Sequence, residues 1–322
     1  MAVTTTLTPL GDALSDSTRR AFSLGFKMVP VAGRQLFNVQ RTDKKVEVFN
    51  SAVMDQFASS TGEGENYSSL DPTFGDELTL TQSKITASFE VTKEGTKYDQ
   101  YDVLRAIAGA EGLGTSCAKR MELDLQQQIS QGAATSYTDR DGNTVSTVSA
   151  DAVAIFSNSH TVNGSSSTYD NLDSTAFGQT GLEAVENLFR NFLNQDGQII
   201  DRAPTAIFST TKPNLVNLIQ EYNKGMNHIE DANRGINVYQ GRYNHIPMQY
   251  LDVTTAGARD ATKDDYWGLA IAGGKNLKLR VSQEPVMYPV QLVQDNRNAL
   301  FQADSHYALG VEDAIDIALS AA

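Results

Sequence analysis

The chain has one cysteine, one tryptophan, four histidines and eight prolines in 322 residues, and these scarcities close off classes of function. A lone thiol, Cys117, cannot build a disulfide framework or a thiolate metal cluster, and it fits a reducing compartment. His160, His228, His245 and His306 are scattered. None stands four residues from another histidine or a plausible ligand, so each reads as a surface or core residue. No apolar run approaches the roughly 20 residues that cross a bilayer. The opening MAVTTTLTPLGDALS lacks the basic and apolar regions of a signal peptide. A soluble chain made in a cytoplasm, with no membrane partner, is the expectation.

Positive charge is also short, with 26 Lys and Arg against 39 Asp and Glu and a net charge of -13. That balance argues against gripping nucleic acid, where phosphate contact depends on basic side chains releasing counterions. There is no G-x-S-x-G elbow, Walker loop, H-E-x-x-H helix or dinucleotide fingerprint. The GEGEN run at 62–66 looks like a phosphate loop only superficially. It lacks the following Lys-Ser/Thr, and its glutamates would repel phosphate. Asp139 and Asp141 evoke a calcium loop, but the third acid and the distal glutamate are missing, which leaves a plain turn. No catalytic, cofactor or metal residue stands out, and an enzyme is not expected.

What is present is organised around Tyr98 to Gln131, about thirty residues without proline. Leu104, Ile107, Glu111, Gly114, Cys117, Met121, Leu125 and Ile129 recur at helical steps. The spacing predicts a rod of roughly 50 Å, with Asp99 and Asp102 near its positive end and Gly132 as its stop. Gly109, Gly112 and Gly114 predict a bend or break. The first 45 residues read as an arm with a short helix over Asp12–Leu24. Arg19, Arg20, Lys27, Arg34, Arg41, Lys44 and Lys45 make it basic in an acidic chain, which points to an interaction segment.

From Val46 the pattern changes to strands: VEVF at 46–49 and the alternating ITASFEV at 85–91. The polar stretch between them predicts an extended hairpin that cannot bury itself alone. SYTDRDGNTVSTV at 136–148 reads as a hairpin turning at Asp141-Gly142. Thr180 and Glu183 suit a capping box for a helix lined by Leu182, Val185, Leu188, Phe189 and Phe192. A strand at 205–210, a helix around Asn214–Tyr222, and strands at Gln249–Val253 and Trp267–Ala272 complete a compact α+β unit. Pro285 and Pro289 frame a switch into return strands, and the apolar IDIALSAA is expected to be packed.

The ordered set of parts resembles the major capsid protein of tailed bacteriophages of the Hong Kong 97 type. FEVTKEGTKYDQYD, AKRMELDLQQQIS, AIFSNSHTVNG with YDNL, DRAPTAIFSTTKPNLVNLI, and YNHIPMQYLDV with DDYWGLA carry the likeness to a Mu-like subgroup. The resemblance implies an α+β capsid fold with an N-arm (1–45) and an E-loop (46–97). A P domain with a spine helix (98–179), an A domain (180–284), return strands (285–310) and a C-terminal segment on the A domain (311–322) would follow. It further implies a structural protein assembling as hexamers and pentamers into an icosahedral head. That head would form in a bacterial cytoplasm around double-stranded DNA touched weakly and non-specifically. Portal, scaffold or protease, and decoration proteins are the implied partners. Some members cross-link a loop lysine to a neighbour, but the span Ser59 to Gly75 has no lysine, and Lys84 and Lys93 lie beyond it. That chemistry is not expected. An encapsulin-like compartment and a tail or baseplate protein remain alternatives. Arm and loop carry too few apolar residues to hold to their own subunit, and opposite charge on Arg19, Arg20, Lys27 and Arg34 and on Glu63, Glu65, Asp71, Asp76 and Glu77 predicts loop-to-arm or loop-to-neighbour pairing between subunits.

Overall fold

Apolar residues at helical spacing and at alternate positions divide the chain into five helices and sixteen strands among the residues that the structure describes. The computed structural model describes residues 8–53, 57–92, 101–162, 167–194, 196–225, 237–292 and 298–321. Tyr98, Asp99, Lys93 and His228 therefore lie outside the described residues.

Helix α1 (Thr8–Met28) and the short α2 (Gly33–Leu36) lead into strand β1 (Asn38–Arg41). Strands β2 (Val46–Val53), β3 (Thr73–Thr81) and β4 (Ser83–Val91) precede the long helix α3 (Tyr101–Ser130). Short strands follow: β5 (Ser136–Thr138), β6 (Thr144–Ser146), β7 (His160–Thr161), β8 (Thr168–Tyr169) and β9 (Leu172–Asp173). Helix α4 (Gln179–Arg190), β10 (Ala206–Thr210), α5 (Pro213–Lys224), β11 (Asn244–Met248) and β12 (Trp267–Ala270) come next. The chain then runs through β13 (Leu277–Met287), β14 (Gln291–Leu292), β15 (Ala299–Val311) and β16 (Ile317–Ser320).

Two five-stranded sheets share the core. The first is ordered β1-β13-β15-β14, with β4 antiparallel to β15. Helix α3 lies against it, where Ala106, Ala110, Leu113 and Cys117 meet Phe301, Ala303 and Met287. The second sheet is ordered β11-β10-β12-β16-β9. Because side chains alternate along a strand, its two faces fill different cores. Ile207, Trp267, Leu269 and Ala318 pack with Leu182, Val185 and Phe189 of α4 and Leu215 and Ile219 of α5. Ala206, Phe208, Ile317 and Leu319 face Met121, Leu125 and Ile129 of α3, together with Leu277, Leu279 and Val281 of the first sheet. The second half of α3 is thus the shared wall between the sheets.

Several expectations are corrected. Helix α3 runs unbroken through Gly109, Gly112 and Gly114. Two of these glycines serve close packing, since a Cβ on Gly109 would lie 2.6 Å from the Phe89 ring and one on Gly114 would lie 2.1 Å from the Phe22 carbonyl oxygen. The hairpin partner of β2 is β3, in register from Val46↔Thr81 to Val53↔Thr73, and the 85–91 segment belongs to the first sheet. Thr180 does not cap α4: the helix starts behind Gly178 with no side-chain cap, and Gln179 Nε2 donates to Glu183 Oε1 at 2.9 Å. Residues 249–252 form turns, Val253 makes only an isolated bridge to Arg259, and the strand is β11, just before them. Pro247 is tolerated there because β11 is an edge strand, where a missing N–H breaks no second ladder.

Candidate functional site

The surfaces singled out by charge in the sequence come from α1 and from the β2–β3 hairpin. Helix α1 crosses α3 at close range. A Cβ on Gly25 would sit 2.0 Å from the Glu111 carbonyl oxygen, the reciprocal of the Gly114 contact with Phe22. Thr115 Oγ1 donates to the Gly25 carbonyl (3.2 Å) and to the Glu111 carbonyl (3.0 Å), tying the backbones together. Ala21 and Phe22 are buried in this contact. The arm therefore holds to its own subunit, against the expectation that it has too little apolar surface to do so. Small residues let the backbones approach, so a few side chains suffice.

Beyond α1, the buried Glu122 carboxylate accepts the Gly33 N–H (2.7 Å), the Ala32 N–H (3.2 Å) and Gln126 Nε2 (3.1 Å). Its Oε2 thereby satisfies donors that α2 leaves without helical partners. Two residues before Glu122 on α3, Arg120 is the hub of a second cluster. It meets Asp124 (2.9 Å), Asp139 (3.1 Å) and Asp141 (2.8 Å), and Tyr307 donates to Asp124 at 2.5 Å. The two acids of the β5–β6 turn thus hold an arginine. Cys117 is buried on α3, and that burial, helped by Asp304, pushes its thiol up to about 11, so it stays protonated.

The hairpin is fixed at its base and exposed at its tip. Lys278 Nζ and the Arg280 guanidinium lie over the Phe49 ring at 4.5 Å and 4.9 Å. Arg280 pairs with Glu47 at 3.4 Å, and Glu47 also accepts Thr42 Oγ1. Leu80 packs over Gly310, where a Cβ would approach it to 2.4 Å. Further out, Thr73 donates to Asp196 beside α4. The tip, 57–69, is exposed throughout, and Gly64 takes a left-handed φ of 84° in a turn where Glu65 Oε2 accepts the Gly62 N–H.

Where β3 crosses the junction of the two sheets, a recess of about 140 Å³ is lined by Asp76, Asp151, Arg202, Lys275, Glu312 and Asp313, among others. Burial, then the charge of Asp151, raises the Asp76 carboxyl above its ordinary value. Burial, then the charge of Glu312, raises Asp313 to about 6. Asp151 is instead held low: its hydrogen bonds to His160 (2.9 Å) and Ser149 (2.6 Å) outweigh the effect of burial. Asn171 and the stacked Tyr169 complete the setting of fully buried His160. Among the described residues no group of three or more His, Cys, Asp and Glu is placed to hold a metal ion, and no helix is long and apolar enough to cross a membrane.

No family model and no curated protein matches the chain. Solved structures do. The capsid of cyanophage P-SCSP1u is similar at a TM-score of 0.53 and 10% identity, over 89% of this chain and 86% of that one. The capsid of a native GTA particle is similar at 0.51 and 11% identity, over 91% and 90%. The mature capsid of bacteriophage PhiM1 is similar at 0.50 and 10% identity, over 91% and 87%. The chain has the Hong Kong 97-type capsid fold. At such identities the likeness is one of fold.

Within this Hong Kong 97-type fold, the residues grouped by charge separate. Arg19 and Lys27 are exposed on α1. Arg20 pairs with Asp16 one turn away at 2.9 Å. Arg34 is engaged inside its own chain, with Glu284 at 2.9 Å and the Met121 sulfur at 2.7 Å. Glu63, Glu65 and Asp71 are exposed on the loop. Glu77 is exposed on β3, and Asp76 faces the junction recess. Sequence reasoning missed Glu122, Phe49, Lys278 and Arg280. Of these only the basic pair in LKLR carried a signal, alternate cations between apolar residues at the start of the strand.

Proposed function

We propose that the chain is the structural subunit of an icosahedral phage head, assembling as hexamers and pentamers around double-stranded DNA. The observation that carries this reading is the Hong Kong 97-type fold over about nine-tenths of the chain, matched to capsids over similar shares of their own length. Fold alone does not fix function, and two features of the chain add support. The hairpin tip offers Tyr67 (96% exposed) and Phe57 (78% exposed) to solvent, more than an isolated subunit gains from. The net charge of -13 suits a shell that must release its DNA.

In this reading residues 1–45 act as the N-arm, 46–97 as the E-loop, 98–179 as the P domain with α3 as its spine, and 180–284 as the A domain. The Mu-like motifs favour that subgroup. Portal, scaffold or protease, and decoration proteins would be its further partners, and the loop carries no cross-linking lysine. The chain acts as a building block and not as an enzyme.

Negative-stain microscopy and light scattering of the purified protein test this. Closed shells are expected across some range of salt and pH. Only a 35.0 kDa monomer under every condition would overturn the proposal. Rings or tubes would instead identify a tail or baseplate protein, and shells filling with protein cargo an encapsulin-like compartment.

A further inference from the structure

Strand β1 pairs with β13 so that Gln40 lies opposite Arg280 and Asn38 opposite Lys278, which sets these four residues on one face of the first sheet. Phe49 of the hairpin meets both cations of that face. The two are not equally served. Lys278 meets Glu312 at 2.7 Å, and both side chains are almost wholly buried. Arg280, only 5% exposed, reaches Glu47 through Nε alone, at 3.4 Å, and its Nη1 donates to the Asn38 carbonyl at 3.3 Å. Its Nη2 has no acceptor among the described residues. Burial lowers the Arg280 value, and the charges of Glu47 and Glu312 offset that only in part. A buried cation short of a full counter-charge is stabilised by any further anion that reaches it.

Space for one is present. A recess of about 400 Å³ opens beside Arg280, where Gln40, Arg41 and Lys44 supply polar lining and Val46, Val48 and Phe49 apolar lining. Arg41 and Lys44 are exposed and make no ion pair among the described residues. The one acid in the lining, Glu47, is already engaged, since Oε1 accepts Thr42 Oγ1 and Oε2 faces Arg280. The recess therefore carries three cations against one acid, in a chain whose net charge is -13. A single guanidinium fork can saturate a planar carboxylate, whereas a tetrahedral oxyanion accepts from several directions at once. A guanidinium held against an aromatic ring, a second one, an ammonium on a long stem and an amide form a donor set of that second kind. The valines beside them exclude water and so strengthen the attraction.

We propose that this recess binds a phosphate group, with Arg280 Nη2 as its fixed donor, Arg41 and Lys44 as its further counter-charges and the Gln40 amide completing the set. Free phosphate and the phosphodiester of a nucleic acid backbone present the same oxygens, so either can supply the group. Bound there, it joins β1, the 42–45 connection, the base of the hairpin and β13. The inference concerns a single chain and stands apart from the shell reading.

Isothermal titration of the full chain with inorganic phosphate tests the proposal, at constant pH and at an ionic strength held with chloride. Saturable binding of one phosphate per chain is expected. Arg41→Gln and Lys44→Gln, both at exposed positions, should each weaken it about tenfold while their unfolding midpoints in chloride stay unchanged. Lys27→Gln, at an exposed position on α1, should bind as the unmodified chain does. Absence of saturable binding, or equal affinity in the Arg41→Gln, Lys44→Gln double variant, overturns the site. So does a loss in Lys27→Gln as large as in Lys44→Gln, which is the mark of diffuse attraction. A short DNA duplex then identifies the source. Displacement of phosphate by the duplex, with weaker duplex binding to Lys44→Gln, supports the site and assigns it to the nucleic acid backbone. Saturable phosphate binding that the duplex does not displace supports the site and assigns it to the free anion. Binding of polyglutamate where phosphate does not bind overturns the proposal in favour of an acidic peptide. A chain that binds phosphate as expected and forms no shells leaves the site standing and counts only against the shell reading.

Discussion

Replacing Asp313 by asparagine isolates the electrostatics of the junction recess. The carboxyl is largely buried, and its value rises from 3.8 to about 6, first because burial disfavours the charged form and then because Glu312 adds its own charge. Lys275 opposes this, while Asp151 and Asp316 reinforce it. A folded-state value above the unfolded one means that the native chain holds the proton more tightly. The stabilisation from the protonated form is fully present below about pH 4 and is lost as pH rises through about 6. Above that, the fold carries a buried charge. At about 1.4 kcal/mol per pH unit, a rise of this size sets an upper bound of about 3 kcal/mol on that cost. An asparagine in its place would be neutral at every pH and would keep a polar head of the same shape. Urea unfolding of unassembled subunits at pH 8 should therefore show the variant more stable by about 1–3 kcal/mol. At pH 4.5 the advantage should shrink to about 1 kcal/mol or less, because only the unfolded carboxyl has ionised there. A variant that is no more stable at pH 8, or one whose advantage is the same at both pH values, would refute the reasoning.

Two further outcomes follow from geometry. Gly114→Ala puts a methyl group 2.1 Å from the Phe22 carbonyl, against backbone that cannot yield. It should cost about 1–3 kcal/mol by thermal unfolding and increase protease cleavage within α1, while Gly112→Ala, facing open space, should be neutral or slightly stabilising. His160→Gln removes a buried ring that bonds Asp151 and stacks on Tyr169. It should lower subunit stability by about 1–3 kcal/mol, measured by chemical denaturation, whereas His306→Gln at a part-exposed position should change it by less than about 0.5 kcal/mol.

The sequence was legible wherever one local period decided the structure. Leu182, Val185 and Phe189 at helical spacing located α4, and TAIFST located β10. The long run without proline from Tyr98 to Gln131 located α3, described from Tyr101, and Asp141-Gly142 located a turn. Pairing was not legible. TFGDELTLT and ITASFEV both alternate, and only a short polar step around Gln82 separates them. In the fold Gln82 bonds the Lys45 carbonyl through its N–H and the Arg280 carbonyl through its side chain, at the point where the chain leaves the hairpin for the first sheet. Alternation shows that a strand has two faces, but not which strand it meets. The arm was misjudged for a related reason. Counting large apolar residues undervalues a crossing built on Gly25 and Gly114, whose contribution is the absence of a side chain. Among the grouped charges, Arg34 finds its partner 250 positions away at Glu284, a distance over which no local pattern carries information.

Strand β16 has a consequence for the timing of synthesis. It lies between β12 and β9 in the second sheet, although β9 precedes it by more than a hundred residues. Until 317–320 has left the ribosome, β12 has β10 on one side and an open ladder on the other, and β9 has no partner in the sheet. At about 5–20 residues per second, the interval between the emergence of Ala270 and that of Ser320 is about 3–10 s. Throughout that wait Trp267 and Leu269 lack the strand that flanks them in the finished sheet. A nascent chain would be open to chaperone capture in that window, and a polypeptide truncated before Ile317 would have no closed second sheet to contribute to any assembly.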